Sequence, residues 1–577
     1  MAATTSDDQR LAWPANGLVG VLDYAAATHA RAIAVLVIAA LLAFLPGFFQ
    51  VPPVDRDEAR FAQATKQMVE TGDYIDIRFQ DEVRYKKPVG IYWLQAGAVK
   101  AAEAFGLPNA RTTIWIYRIP SLIGAVGAVL LTYWAALAFI SRRAALLGGL
   151  MLASCILLGV EARLAKTDAM LLATIVACMG VMARAYLGDR RLQITDLKDP
   201  VGWILPGIFW TALAAGVLLK GPLILLFVGL PVIALAAFDR SARWLLALRP
   251  QFGVPWLILL VLPWFIAITT RAGESFFAES IGQDMLAKVI SAQEAHGAPP
   301  GYYFALFWIT FWPAATLAAM SAPALWAARR EKGARFLLAW IVPAWIVFEL
   351  VVTKLPHYVL PVYPAIAILI AGIVDPHVLA RERWLVRGTS WWFVLPVILA
   401  VGGIVAAMVI SRQLGLLAWP FAVGAVIFGL LAWRLYDADG AERSLLRAMV
   451  ASVLLAVSIY AILVPSMATT LFPSVALARV VRTAECPNPV AAAAGYHEPS
   501  LVFLAGTSTR LTDGAGVADF LRQGGCRFGF IEGRHERSFL RRAEAVGLRY
   551  SPGPRIEGFN VATGRQITVA VYRSEMP

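Results

Sequence analysis

Residues 51–93 read VPPVDRDEARFAQATKQMVETGDYIDIRFQDEVRYKKPVGIYW. Apolar runs long enough to cross a bilayer flank this polar stretch. Asp55, Asp57 and Glu58 gather near its start, and Asp81 and Glu82 further on. Lys86 and Lys87 follow, among Tyr85, Tyr92 and Trp93. Ala59, Phe61 and Ala62 interleave with polar positions, so DEARFAQATKQMVE predicts an amphipathic helix that Gly72-Asp73 ends. Pro88 is suited to start a second helix, through Tyr92, Leu94, Val99 and Phe105. Lys87, Lys100 and Glu103 bracket too short a run for it to span, so it is expected to lie in the interface plane.

Outward from this loop the chain is greasy. Of 577 residues, 59% are hydrophobic and 15% charged, with mean hydropathy +0.66. Soluble domains carry about 25% charged residues. The expected fold class is an all-α polytopic membrane protein with outer-face amphipathic helices and a small C-terminal α/β domain. About 13 spans meet the ~20-residue criterion: 32–50, 113–140, 144–161, 168–187, 203–219, 221–238, 252–270, 302–328, 336–353, 358–374, 391–410, 417–433 and 446–468. Residues 1–31 read as a cytoplasmic segment, and the first apolar run as a retained span rather than a cleaved signal. Residues 32–468 form the membrane domain and 469–577 the C-terminal domain.

Charge tests this count. With the N-terminus in the cytoplasm, cytoplasmic loops hold Arg142 and Arg143, Arg190 and Arg191, Arg240 and Arg243, Arg329 and Arg330, Arg381 and Arg387, and Arg443 and Arg447. The short loops opposite hold far fewer, among them Arg163, Lys166, Lys220 and Lys354. This is the positive-inside asymmetry, and it accounts for the net charge of +13 without nucleic acid. It requires a hairpin at Lys220-Gly221-Pro222, since a single kinked helix there would swap every later loop. The 51–112 loop, the 271–301 loop and the C-terminal region then share the outer face.

In the C-terminal region SLVFLAG (500–506), RFGFIEG (527–533) and QITVAVYR (566–573) read as strands. GVADFLRQ and ERSFLRRAEAVG read as helices. No Gly-rich nucleotide fingerprint completes after Gly506. Cys486 and Cys526 are free to pair in an oxidising compartment. Cys155 and Cys178 sit in apolar runs as small core residues. No His/Cys cluster has zinc-site spacing.

Six polar constellations fall on the outer face, each with a plainer reading. Asp57 and Glu58 suit a helix N-terminus, where acids meet exposed N–H groups, although three acids in four positions exceed that need. Tyr85-Lys86-Lys87 suits an interfacial anchor or a phosphate site. Glu161, Arg163, Lys166 and Asp168 stand at helix ends and can snorkel; yet Asp168 opens a span, where an acid is costly unless partnered. Lys220 is a turn lysine. Glu279, Asp284, Glu294 and His296 lie in a loop where solvation suffices. Lys354, His357 and Tyr358 close the set. Together they point to an outward-facing site.

These residues match a known pattern. The run from Asp57 to Trp93 resembles the first outer loop of the ArnT-like, PMT-related glycosyltransferases of the GT-C superfamily: Asp-Glu-x-Arg-(Tyr/Phe)-Ala, a Gly-Asp turn, Tyr-x-Lys-Pro, then Tyr-Trp. LAKTDAML, LLKGP and TKLPHYVLPVYP resemble later loops of that family, in order, across most of 32–370. The resemblance implies transfer of a sugar from a polyprenyl phosphate to an acceptor at the outer face of the bacterial inner membrane. The acceptor would be lipid A or lipopolysaccharide core, or protein in other members. It implies Asp57, Glu58 and Asp168 as the catalytic acids. Tyr85, Lys87, Arg163, Lys220, Lys354, His357 and Tyr358 would bind the donor phosphate and substrate. Some members contact a divalent cation through an acid before the Lys-Pro lysine and a loop histidine. Here Lys86 stands at the acid position, His296 fits the histidine position, and no metal ligand is assigned. The rival class is a secondary transporter or flippase. Internal repeats and midplane charges are its marks, and the sequence shows neither.

Overall fold

The computed structural model describes residues 17–193, 199, 201–273, 276, 297–376, 378–379, 381, 383–436, 440–561 and 563–575. Two apolar helices open it, α1 (Gly17–Ala26) and α2 (His29–Phe44). The quoted loop follows as α3 (Asp57–Thr71), a hairpin of β1 (Arg78–Phe79) and β2 (Glu82–Val83), and α4 (Gly90–Ala104). Gly72 ends α3 in the left-handed conformation, φ 73°, as its place after the last apolar turn predicts. The next elements are α5 (Ile114–Ala136), α6 (Arg142–Ala153), α7 (Ile156–Ala162), α8 (Asp168–Leu187), α9 (Val201–Lys220), α10 (Leu223–Asp239) and α11 (Pro250–Ala272).

Among the described residues 9 helices are long and apolar enough to cross a membrane, or up to 11 if each bent pair is one span. All thirteen expected segments fall on a helix or a bent pair, but four depart from one straight, full-length span. Helices α2 and α10 are the shorter apolar kind, 16 and 17 residues. The 144–161 segment is α6 and α7, bent by 62°. The 302–328 segment is Tyr302–Thr310 and Ala315–Ala328, bent by 116°. Pro313 stands in that second break and has no N–H to continue the helical ladder.

Polar contacts sort the helix ends into two faces. At one face Lys220 ends α9 against Asp168, which starts α8. At the other, Asp239 ends α10 and accepts from Tyr186 near the end of α8, at 2.7 Å; it also pairs with Arg335 of the Lys332–Leu350 helix. Helices α9 and α10 are therefore a hairpin, turned at Gly221 with φ 68°. The far end of Lys332–Leu350 holds Glu349, which accepts from Gly301 N and Phe304 N at 2.9 and 3.0 Å. The bent 302–328 pair thus still runs from one face to the other. Arg143 ties the second face together, reaching Asp23, Asp375 and Glu442 at 2.6–2.7 Å.

The core lies where α5 and α8 cross. A Cβ on Gly124 would sit 2.6 Å from Met170 N, so only glycine lets α5 approach α8 that closely.

The C-terminal unit is a five-stranded sheet of order β4-β3-β5-β7-β6: β3 (Val490–Ala494), β4 (Arg510–Thr512), β5 (Arg527–Glu532), β6 (Tyr550–Asn560) and β7 (Arg565–Ser574). The strands expected at 527–533 and 566–573 form, as do both helices, Gly514–Arg522 and Glu536–Ala545. The strand expected at 500–506 is instead a helix, Pro499–Ala505. A short apolar run fits either state, and Pro499 at its first turn favours the helix. Strand β3, between β4 and β5, is VAAAA, whose alanines are poor strand formers until packed on both faces. Cys486 and Cys526 are disulfide-bonded, and Cys155 and Cys178 are free and buried.

This unit rests on α3 and its hairpin. Lys66 Nζ donates to Phe503 O at 3.0 Å, Gln63 to Thr507 Oγ1 at 2.9 Å, and Gln80 to the carbonyl of Thr507 at 2.9 Å. Asp55 Oδ1 accepts from Ser500 N at 3.0 Å.

Candidate active site

The site begins with an immobile carboxylate. Glu58, 2% exposed, lies in the first turn of α3. It accepts from Arg118 Nε and Nη2 at 2.8 and 2.9 Å, from Val54 N at 2.8 Å and from Ala165 N at 2.8 Å. Arg118, on α5, also donates to the carbonyls of Phe48, Val51 and Pro52 at 2.8–3.0 Å. One buried ion pair thus joins the start of α3, the end of the first membrane segment, α5 and the α7–α8 loop. Arg56 stands before Asp57 at φ 68°, backbone that favours glycine, a strained entry to the helix.

Asp57 is left exposed by that arrangement. No hydrogen bond or ion pair holds its carboxylate among the described residues. It does bear on the Lys166 ammonium, together with Glu161 and Asp168. Burial pulls that ammonium down, and the three carboxylates outweigh it and hold Lys166 above the usual lysine value.

Beneath Asp57 is a buried cluster. Lys220 contacts Asp168 Oδ1. Lys166 Nζ donates to Glu161 Oε1 at 3.1 Å and stands 4.0 Å from Asp168 Oδ2. His357 lies between the acids, Nδ1 3.6 Å from Glu161 Oε1 and Nε2 3.6 Å from Asp168 Oδ1, too long for hydrogen bonds. Glu161 Oε2 is buried with no hydrogen-bond partner among the described residues. Lys220 Nζ stands 5.7 Å from the Tyr358 ring centre. Lys87, half-buried, is close enough to act electrostatically on His357.

The structure therefore brings together Asp57, Asp168, Lys87, Lys220, His357 and Tyr358 among the expected site residues. It adds Lys166 and Glu161, which the sequence offered only as helix-end charges; Arg163 and Lys166 set between two acids, Glu161 and Asp168, at a span's start were the available signal. Other expected residues are engaged elsewhere. Arg163 donates to the carbonyls of Pro46 (2.6 Å), Gly159 and Ala43, closing the end of α2. Lys354 donates to the carbonyls of Phe348, Glu349 and Val351 at 3.2, 2.8 and 2.6 Å, capping the Lys332–Leu350 helix. Tyr85 donates to Asp76 Oδ1 at 2.8 Å and packs edge-on against Phe276. Glu279, Asp284, Glu294 and His296 lie outside the described residues.

Glu161, Asp168 and His357 offer ligand atoms all within 4.8 Å of one another, a set able to hold a divalent cation. Lys166 and Lys220 already neutralise its two carboxylates, so a cation has to compete with two ammoniums. At the loop position where some members of the ArnT-like family carry an acid this chain has Lys86, and His296 lies outside the described residues.

Asp55 borders the site from the domain side. Burial and the neighbouring Glu498 push its carboxyl up from 3.8 to about 7. A carboxyl raised on folding stabilises its contacts below pH 3.8, and loses that contribution as pH rises through about 7. The docking of the C-terminal unit is expected to loosen between pH 4 and 8. Faster amide exchange in Pro499–Ala505 at the higher pH would show it, and Asp55→Asn should flatten the pH dependence.

The chain superposes on ArnT from Cupriavidus metallidurans bound to undecaprenyl phosphate with TM-score 0.70, covering 94% of this chain and 98% of that one at 19% identity. It matches the Archaeoglobus fulgidus oligosaccharyltransferase at TM-score 0.51 and 12% identity, over 90% of this chain and 69% of that one. The family described as dolichyl-phosphate-mannose-protein mannosyltransferase matches residues 95–274, which include Glu161, Asp168 and Lys220. The undecaprenyl phosphate-alpha-4-amino-4-deoxy-L-arabinose arabinosyl transferase of Erwinia tasmaniensis is 29% identical over 55% of this chain and 54% of its own length. Its counterpart in Edwardsiella ictaluri is 27% identical over 71% of each. The chain thus spans about half the length of the first of these relatives. In sequence and fold it is ArnT-like and PMT-related.

Proposed function

We propose that the chain is an integral-membrane glycosyltransferase that moves a sugar from a polyprenyl (undecaprenyl) phosphate carrier to an acceptor at the periplasmic face of the bacterial inner membrane. Lipid A or lipopolysaccharide core is the acceptor class, with aminoarabinose-type or uronic-acid-type transfer. The observation that carries this reading is the exposed carboxylate of Asp57 above the buried Asp168–Lys220 and Glu161–Lys166 pairs. The acceptor hydroxyl oxygen bonds to the anomeric carbon while the bond from that carbon to the phosphate oxygen breaks. The electron pair leaves with the polyprenyl phosphate, and the hydroxyl proton passes to Asp57. Lys87 and Lys220 stabilise the charge that develops on the leaving phosphate, Asp168 holds Lys220 in place, His357 lies 3.6 Å from that acid, and Tyr358 flanks Lys220. Glu58 acts by position, fixing the turn that presents Asp57. Arg163 and Lys354 are not placed at the phosphate, because they already donate hydrogen bonds to backbone carbonyls.

Asp57→Asn keeps the shape of the helix start and removes the proton acceptor. Sugar transfer from a reconstituted lipid donor is expected to fall ~10²–10⁴-fold, with thermal unfolding unchanged. Undiminished transfer in that variant would sink the assignment. The protein-mannosyltransferase match over 95–274 favours a second reading, transfer to protein hydroxyls. Mass spectrometry of lipid A, core oligosaccharide and envelope proteins from a deletion strain separates the two.

A further inference from the structure

Helix α8 carries Asp168 at one end and a second, separate site at the other. Its 20 residues place that end ~30 Å away, about one bilayer thickness. There a cavity of about 760 Å³ opens between the start of α2 and the ends of α5 and α8. Its polar side is His29, Tyr133, Arg184, Asp189 and Arg191. Its other side is apolar: Ile33, Leu130, Leu137 and Leu187.

The polar side is built. Arg184, 8% exposed, donates to Gly180 O and Trp134 O at 2.8 and 2.6 Å, and lies 4.0 Å over the Trp134 ring. Gly180 is glycine because a Cβ there would collide with that ring. Asp189 Oδ1 accepts from Arg191 N at 2.9 Å and fixes the rim, which leaves the Arg191 guanidinium exposed. His29 Nδ1 is held by Tyr133 Oη at 2.7 Å. Two arginines against one aspartate give the cavity a positive balance.

That charge disfavours a cation. A small soluble anion would leave the apolar wall without a role, and Ile33 on that wall is 43% exposed. An amphiphile with an anionic head matches both sides. We propose that this cavity binds one anionic phospholipid of the leaflet opposite the Asp168 cluster. The phosphate lies at Arg191 and His29, and the first chain methylenes lie against Ile33, Leu130 and Leu137. Basic pockets between membrane helices hold anionic headgroups by this combination. The volume falls within the ~300–1,000 Å³ of small-ligand sites, which suits a headgroup and upper chain with the rest lying in the bilayer. A lipid seated there buttresses α5 against α8, the two helices that carry Arg118 and Asp168.

The test uses the full chain, delipidated in a neutral detergent, with intrinsic-fluorescence melting as readout. Phosphatidylglycerol is expected to raise the melting temperature by several degrees, and phosphatidylcholine or inorganic phosphate at equal concentration not to do so. The exposed double variant Arg191→Gln/His29→Gln should lose at least half of the response. Arg443→Gln, an exposed charge at the same membrane face, should keep all of it. Equal stabilisation by phosphatidylcholine, or by inorganic phosphate, overturns the proposal; so does a full response in the double variant. If the double variant cannot be purified, native mass spectrometry of the unaltered chain decides: one retained phosphatidylglycerol is expected, and equal retention of phosphatidylcholine overturns it.

Discussion

Arg118→Ala is expected to be the most damaging single substitution to stability, by about 3–5 kcal/mol, the range for removing one partner of a buried ion pair. Arg118 is fully buried and bonds twice to Glu58 and once each to three carbonyls. Its loss leaves the Glu58 carboxylate with two backbone N–H donors and no countercharge, and three buried acceptors unmet. Apparent melting of the purified chain should drop steeply, and transfer should fall with it, because α3 loses its anchor. Glu58→Gln is the milder partner, since the amide oxygen still accepts from Val54 N or Ala165 N. It should lower stability and transfer together, whereas Asp57→Asn lowers transfer alone. A Glu58→Gln variant with unchanged melting and no transfer would instead make Glu58 a group in contact with the reacting atoms.

The second large effect is on chemistry. Lys220→Met should reduce transfer at least ~10²-fold, the scale for losing one charge-stabilising donor, and should also destabilise, because Asp168 keeps only a histidine and a lysine at 3.6 and 4.0 Å. Lys220→Met/Asp168→Asn removes the uncompensated charge. Melting should therefore recover in the double variant, while transfer stays low. Contacting residues are coupled, so this cycle separates the two roles of the pair. Recovery of transfer with stability would show that Lys220 serves only to neutralise Asp168.

Much of this was legible in the residues. Charge asymmetry set the Lys220 hairpin, since removing it reversed every later loop. Gly72 gave the end of α3, and placing the loops on one face brought Asp57, Lys87, Asp168 and Lys220 together as candidates. Contacts that the sequence did not show have physical causes. Arg163 and Lys354 look like phosphate ligands in a linear chain, because a lysine that caps a helix and one that faces a phosphate are the same letter. Which carbonyls lack donors is settled only when helix ends meet. Glu161 had the same difficulty: its neighbours, Lys166 and His357, are 5 and 196 positions away. The VAAAA strand was hidden because its stability comes from being sandwiched, and the Pro499–Ala505 helix because seven apolar residues fit either state.

The bonds from Lys66 to Phe503, Gln63 to Thr507 and Asp55 to Ser500 join positions more than 430 residues apart. A chain made from its N-terminus lays down the Asp57 helix early and receives those three supports only when its last fifth has been made and folded. Closing loops of that size is slow. Through most of biosynthesis the turn that carries Asp57 therefore lacks part of its foundation, and assembly is completed from the far end of the polypeptide.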